Sequence, residues 1–471
     1  MGGISANKPI VHLVTGPMMP GSHRGERIGA CTDCRNNWAN YRAGVIDIEE
    51  IATINDELAP TAGTCGVMGT ASTMACILAA LGMMPLKGAS APAVSSARLR
   101  VAEQTGAIAA AMIHAGDTLR PQTILTRDSF LNAMTVLQAI GGSTNAVVHL
   151  MAIINRHPAI AGSITLDTVD EIGRRTPLLV DLKPSGMNYM TDFHNSGGMA
   201  ALLHELRPLL RLDAMTVTGQ TLGQVLDSER VPSIPRDLSC ISTLTNPLYP
   251  ASSLVVLRGN LAPRGAVMKA SASRDRTLLS HSGPAVVFTS PADMARRIDS
   301  EDLPVTKDSV LVLQNIGPVG NPGMPEAGLI PIPRKLASRG VTDMLRVSDG
   351  RMSGTAGGTI VLHVAPEAAD PESVLGVVRD GDVVFVDVER RVIRVEVGDE
   401  ELRRRVEERK RKVLEEEKEE EDNSGRGEGR KKSAWVARRK MRGYRGLYMR
   451  EVNQADQGAD FDFLTAEGPS C

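Results

Sequence analysis

Residues 8–21, "KPIVHLVTGPMMPG", decide how the first half of the chain is read. An apolar run from Pro9 to Val14 gives way to Gly16, Pro17, Pro20 and Gly21. That order predicts a buried strand ending in a tight loop, as in a parallel sheet whose strand ends carry chemistry. Working outward, residues 46–58, 95–116 and 127–142 place apolar side chains at helical spacing, and amphipathic helices are expected over each. Strands and helices alternate in this way to about residue 225, so the expected fold class is α/β, with an N-terminal three-layer α/β domain.

The texture changes across the Pro/Ser-rich stretch 227–253. Short β-rich runs follow, including "SVLVLQNIG" (309–317), "GTIVLHVAP" (358–366) and "DVVFVDVERRVIRVEV" (382–397), each bounded by turn residues. They predict a β-barrel-like C-terminal domain. The chain is thus expected to divide into an α/β domain at 1–230, a β-rich domain at 231–398, a charged and disordered insertion at 399–440, and a C-terminal segment at 441–471 that packs back on the body. Within the insertion, "EELRRRVEERKRKVLEEEKEEED" (400–422) reads as a solvated helix that frays into disorder.

The totals exclude several classes of function. A chain of 471 residues with 42% hydrophobic and 23% charged residues can bury more than one core. A net charge of −2 gives no general pull toward nucleic acid or an anionic membrane, and 3% aromatics cannot supply base-stacking platforms. No apolar run is as long as a membrane span and no signal peptide is visible, so a cytoplasmic location is expected, with the mitochondrion as the alternative. The six cysteines (Cys31, Cys34, Cys65, Cys76, Cys240 and Cys471) are too scattered for a secreted disulfide framework. In a reducing compartment a thiol is kept for metal, for catalysis or for packing.

Four loops could carry chemistry. In "GTCGVMGTAS" (63–72) small residues surround Cys65, and a helix start just beyond would favour its thiolate; a buried structural cysteine fits the pattern equally well. In "AIGGSTNAVVHL" (139–150) Ser143, Thr144 and Asn145 offer hydroxyl and amide groups to a carboxylate or phosphate, or simply cap a helix. In "NPGMPEAG" (321–328) two prolines and two glycines fix Glu326, suiting magnesium, acid–base work or a plain surface turn. In "VSDGRMSGTAGGT" (347–359) Ser353 is a candidate base or nucleophile if a neighbouring cation holds it as alkoxide. No lysine follows in Walker position, which weakens a phosphate cradle.

Taken in order, "GTCGVMGTASTMACILAALGM", "GGSTNAVVHL", "FHNSGGMAALLHEL", "GAVMKAS", "GNPGMPEAG" and "SDGRMSGTAGGTIVLHVAPE" resemble the dihydroxy-acid and sugar-acid dehydratases. These are iron–sulfur and magnesium hydro-lyases. The resemblance runs from about Lys8 to Val397 and again from Gly443 to Leu464, with the charge block as an insertion. It implies conversion of a 2,3-dihydroxy carboxylic acid to a 2-keto acid, with a three-cysteine [2Fe–2S] cluster as Lewis acid on the leaving hydroxyl. Magnesium holds the substrate carboxylate and 2-hydroxyl, and a serine alkoxide takes the C2 proton.

By that resemblance Cys65 matches a cluster cysteine, Glu326 a magnesium ligand and Ser353 the base. Ser143, Thr144, Asn145, His194 and Ser196 fall in segments that border the substrate pocket. The expected partners are a small hydroxy-acid substrate and a second copy of the chain in a homodimer. "SGGMAALLHEL" (196–206) and "QADQGADFDFL" (454–464) look more like the sugar-acid type than the branched-chain amino-acid type. The family's other cluster cysteines and magnesium-binding acids lie before the strand matching residues 9–21. The expectation is therefore an incomplete first domain, doubtful competence and, as the alternative, a non-catalytic paralogue or inactive fragment that binds a partner. Cys31 and Cys34 form a C-x-x-C, a generic metal or redox pattern at a place where the family has no ligand. Cys76 reads as core, and Cys240 and Cys471 as unpartnered.

Overall fold

The computed structural model describes residues 1–229, 231, 239–422 and 433–466. Cys471 and much of the expected linker, residue 230 and residues 232–238, lie outside them.

The first half is helical, and the three-layer sheet expected there is not formed among the described residues. Among the described residues its only regular strands are the three-residue pair β1 (Gly21–His23) and β2 (Glu26–Ile28). Residues 9–16, read as a strand, run extended without a ladder. Pro17 makes a single parallel bridge to Thr64, closed by Thr64 N–H to the Gly16 carbonyl (2.8 Å) and Met18 N–H to the Thr64 carbonyl (2.9 Å). An apolar run reports burial, and burial alone does not supply a neighbouring strand. The consequence is still useful, because these two bonds clamp the residue before Cys65 in place.

Two apolar cores fill this half. The helix Arg127–Ala139 buries every residue from Ser129 to Ala139, so it is central, not amphipathic as its spacing predicts. Thr126 and Ser129 close its first turn as a capping box. Phe130, Met134 and Leu137 meet Leu150, Ile154 and Ile77 in one core. Val136 and Ala139 face Phe193, Met199 and Leu202 in the other. Ile4 from the first helix, Gly2–Ala6, seats in the first core at 2% exposure.

The second half is a closed eight-stranded barrel, as the β-rich runs predict. Its strands are β3 (Val255–Gly259), β4 (Ala262–Met268), β5 (Ser280–Phe288), β6 (Val310–Leu313), β7 (Arg346–Ser348), β8 (Ile360–Ala365), β9 (Val383–Asp387) and β10 (Val392–Val395). The order around the barrel is β10-β3-β4-β8-β7-β6-β5-β9. Strands β5 to β8 form a parallel run through β6 and β7, and the pairs β3–β4, β4–β8, β5–β9 and β9–β10 are antiparallel. Strand β6 shows why its run is apolar throughout. Val310 and Val312 point into the barrel core, and Leu311 and Leu313 into an outer core with Ile298, Leu303 and Ile330. Leu254, Val256 and Val267 belong to the first helical core, which joins the barrel to the helices.

The described residues of the charged segment 399–440 form two helices, Ala434–Lys440, with Val436 buried, and Asp399–Asp422, which lies on the barrel. Leu402 and Val413 are buried under it, and Arg405 pairs with Asp382 at 2.6 Å. Residues 423–432, where the sequence predicts disorder, lie outside the described residues. The C-terminal segment reaches back across both halves: Met449 and Val452 meet Val319, and Gln454 Nε2 donates to Glu367 at 2.8 Å. Among the described residues no helix is long and apolar enough to cross a membrane.

Candidate active site

The four chemistry-bearing loops converge on one side chain. Asn145 opens the helix Asn145–Asn155 and is fully buried. Its Nδ2 donates to Glu326 Oε1 at 2.7 Å, to Thr70 Oγ1 at 3.0 Å and to the Met352 carbonyl at 3.0 Å. Two amide hydrogens shared among three acceptors tie the Glu326 turn, the Cys65 loop and the Ser353 loop to one point. Asn145 Oδ1 is buried with no partner among the described residues, an acceptor left over at the centre of the site. Ser143 Oγ meets Thr70 Oγ1 at 2.9 Å and accepts from Asn145 N–H at 3.2 Å. Gly354 lies so close that a Cβ there would stand 2.5 Å from Ser143 Oγ.

Ser353 sits in the loop between β7 and β8. Its Oγ is 2.8 Å from Thr355 Oγ1, and the Thr355 carbonyl accepts from Thr32 Oγ1 at 2.8 Å. Lys269, at the end of β4, donates from Nζ to the Gly354 carbonyl at 3.2 Å. It is buried without a carboxylate partner, and that burial pushes its pKa down to about 7. The acid of the same loop, Asp349, is structural: it accepts from Ile316 N–H at 3.1 Å and Ala368 N–H at 2.8 Å. Burial raises its carboxyl to about 6.

Cys65 faces the site, and its nearest chemistry is another thiol. Cys31 Sγ lies 2.9 Å from Cys65 Sγ, and both residues are half-buried. The pair favours one thiolate between them. The hydrogen bond from Cys65, helped by the Arg35 charge, draws Cys31 down to about 6, and the same bond together with burial drives Cys65 up. The expected thiolate at Cys65 is thus reversed. The helix beyond it starts only at Thr70, with Gly69 as its cap, and the Cys31 sulfur is at hydrogen-bond distance. Cys34 turns into a small apolar cluster with Ile28, Ile54 and Leu58. Cys76 and Cys240 are buried, and burial pushes them up to about 12 and about 11, as for inert packing thiols.

Of the side chains singled out from sequence, Cys65, Ser143, Asn145, Glu326 and Ser353 lie on these connected loops, and Thr144 is buried beside them as the cap of the Asn145 helix. His194 and Ser196 make their contacts elsewhere. His194 Nδ1 is 3.2 Å from Ser90 Oγ, and Ser196 Oγ accepts from Cys240 N–H at 3.0 Å. Sequence reasoning passed over Thr70, Thr355 and Lys269, and it set Cys31 aside as half of a generic C-x-x-C with Cys34. Lys269 carried a visible signal, a lysine closing the otherwise apolar "GAVMKAS". Thr70 and Thr355 look like ordinary small loop residues.

The cofactors implied by the resemblance fit unequally. Glu326 is exposed, and its Oε2 has no partner among the described residues, so one carboxylate is free for a magnesium that also takes water and substrate oxygens. The three-cysteine cluster does not fit the side chains present: Cys65 has one cysteine neighbour, Cys34 faces away, and among the described residues no three His, Cys, Asp or Glu side chains gather for a metal.

Comparison with known proteins defines the class. Residues 1–225 match the family described as dihydroxy-acid/6-phosphogluconate dehydratase N-terminal, and residues 239–459 its C-terminal counterpart. The chain belongs to this family of dehydratases, which are carbon–oxygen hydro-lyases. It is 40% identical over 472 residues to the 6-deoxy-6-sulfo-D-gluconate dehydratase of Pseudomonas putida, covering 99% of this chain and 75% of that protein. It is 41% identical to the L-arabonate dehydratase of Azospirillum brasilense, covering 100% of this chain and 77% of that one. It is 37% identical to the dihydroxy-acid dehydratase of Sulfurisphaera tokodaii, covering 85% of this chain and 70% of that one. Both family domains are matched, and the expectation of an incomplete first domain finds no support.

Proposed function

We propose that this chain dehydrates a sugar acid with hydroxyls at C2 and C3 to the corresponding 2-keto-3-deoxy acid. The observation that carries the reading is the Asn145 side chain, which joins the Glu326 turn, the Thr70–Ser143 hydroxyls and the Ser353 loop. Carboxylate, hydroxyls and a candidate base on loops tied to one side chain are what a polyhydroxy acid requires. The preference for a sugar acid over the branched-chain precursor rests on coverage: relatives named for sugar acids align over 99% and 100% of the chain, against 85% for the dihydroxy-acid dehydratase.

In this reading Ser353 Oγ, as the alkoxide, takes the proton from C2, the C3–oxygen bond breaks, and that same proton passes from Ser353 to the leaving hydroxide, giving water and restoring the alkoxide. The resulting enol tautomerises to the ketone. Thr355 Oγ1, 2.8 Å away, steadies the Ser353 oxygen, and Lys269 sets a positive charge behind Gly354 when protonated. Asn145 Oδ1 and the hydroxyls of Thr70 and Ser143 accept and donate to substrate hydroxyls. Glu326 would hold magnesium, which would supply positive charge to the substrate carboxylate. No step is assigned to an iron–sulfur cluster, because the cysteines present do not fit its three-cysteine form.

The test is a product profile. The protein is supplied with magnesium and given L-arabonate, 6-deoxy-6-sulfo-D-gluconate and 2,3-dihydroxyisovalerate, and the 2-keto acids are quantified. Turnover of a sugar acid at a kcat/KM at least tenfold above 2,3-dihydroxyisovalerate is expected. Preference for the latter would overturn the substrate assignment, and inertness toward all three would overturn the activity.

A further inference from the structure

Cys31 occupies a backbone conformation that a side chain seldom adopts, φ 78° and ψ −75°, at the cap of the helix Thr32–Arg42. These are the dihedrals of the central residue in the rare, positive-φ form of a γ-turn. Such a residue persists only where its neighbours over-determine it, and the direction of inference runs from the outlier to a role. Here the neighbours are explicit. Gly29 N–H donates to Asp33 Oδ2 at 2.7 Å, Lys183 Nζ pairs with Asp33 Oδ1 at 2.7 Å, and Thr32 Oγ1 bonds the Thr355 carbonyl at 2.8 Å. Between them they hold the turn so that Cys31 Sγ faces Cys65 Sγ at 2.9 Å. The sequence pattern suggests Cys34 as the partner, but Cys34 packs against Ile28, Ile54 and Leu58.

We propose that Cys31 and Cys65 form a reversible disulfide at the mouth of the candidate active site, made by a disulfide oxidant such as oxidised glutathione. Both residues are half-buried and keep part of their surface exposed. The Cys31 thiolate attacks one sulfur of oxidised glutathione and expels one glutathione thiolate. The Cys65 thiolate then attacks the Cys31 sulfur of the mixed disulfide and expels the second. Two electrons pass to glutathione, the two cysteine protons go to the released thiolates, and one sulfur–sulfur bond replaces another. The bond would fasten the start of the Thr32 helix to the Cys65 loop, whose Gly69 has room for no Cβ against Thr355 (2.7 Å to its Cγ2). It would also withdraw Cys65 from any metal. The cross-link stands without the proposed dehydratase activity; only its inhibitory effect rests on that reading.

The test equilibrates the full chain in glutathione buffers of graded reduced-to-oxidised ratio, blocks free thiols, and maps cross-links by peptide fragmentation. Cys31 and Cys34 share the tryptic peptide 28–35, so Cys31→Ser, Cys34→Ser and Cys65→Ser are run beside the wild type. A Cys31–Cys65 link in wild type and Cys34→Ser, reversed by dithiothreitol and missing from the other two variants, is the expected result. A Cys31–Cys34 link, a stable glutathione adduct on Cys31 without closure, or no oxidation at all would overturn the proposal. Where sugar-acid turnover is measurable, the cross-linked wild type should lose it and regain it on reduction, while oxidised Cys31→Ser keeps its own rate. Closure without inhibition would leave the cross-link standing and overturn its inhibitory role.

Discussion

Replacing Lys269 by methionine should make the protein more stable at neutral pH. Lys269 is buried at the end of β4 with a single carbonyl partner and no counter-charge. Burial brings its pKa from 10.5 to about 7. At ~1.4 kcal/mol per pH unit, confining the charged form costs on the order of 4–5 kcal/mol. Below about pH 7 both folded and unfolded chains carry the proton, and that cost is felt in full. Between about 7 and 10.5 the unfolded chain still binds the proton and the folded one does not, so stability climbs with pH; above 10.5 the cost is gone.

Lys269→Met keeps the apolar stem and removes the charge, but it gives up a hydrogen bond to Gly354 worth ~1–2 kcal/mol. A net gain of about 2–3 kcal/mol at pH 7 is expected, large beside the 5–15 kcal/mol that typically separates folded from unfolded. Urea denaturation followed by far-ultraviolet circular dichroism, at intervals from pH 6 to pH 10, provides the comparison. The wild-type midpoint should rise toward the variant's across that range. Parallel midpoints, or a variant less stable at pH 7, would refute the reasoning that Lys269 is an uncompensated buried charge. If the charge is kept for function, the same variant should lose turnover as it gains stability.

Three further perturbations address the site. Asn145→Leu leaves Thr70 and the Met352 carbonyl without their shared donor, and a loss of ~2–4 kcal/mol is expected in the same denaturation experiment, with turnover abolished. Gly354→Ala forces a Cβ to within 2.5 Å of Ser143 Oγ and 3.2 Å of its Cα, so thermal melting should show a destabilisation of ~1–3 kcal/mol. Glu326→Gln removes a charge from an exposed side chain; its melting should shift by less than ~0.5 kcal/mol, while the magnesium concentration needed for half-maximal turnover rises at least tenfold.

The barrel was legible because its strands are short β-rich runs bounded by turn residues: both faces of β6 meet a core, so that run is apolar throughout, and Val384 and Val386 of β9 enter the barrel core on alternate positions. Strand β4 was harder to see, since Pro263 and Gly265 interrupt it. The strand expected at residues 9–16 failed for a different reason. Its apolar residues do answer to burial, but pairing depends on another segment that no local pattern reports. The central helix Arg127–Ala139 was read as amphipathic although its polar residues are buried: Asn132 and Gln138 bond to distant backbone, to Arg211 at 2.9 Å and Leu254 at 3.0 Å, and Thr135 bonds within the helix to the Leu131 carbonyl at 2.9 Å. At the site, side chains in distinctive loops could be picked out one by one, but not their common meeting point at Asn145. Cys31 stayed hidden because its spacing to Cys34 suggests one partner and the fold supplies another.

The central claim is that Ser353 removes the C2 proton of a sugar acid. Its most direct test compares L-arabonate carrying deuterium at C2 with the unlabelled acid, in the magnesium-supplied wild type and in Ser353→Ala. A primary isotope effect on kcat/KM in the wild type, together with no keto acid from a folded Ser353→Ala protein, is the predicted result. A Ser353→Ala protein that forms keto acid at the wild-type rate would contradict it, whatever the isotope effect.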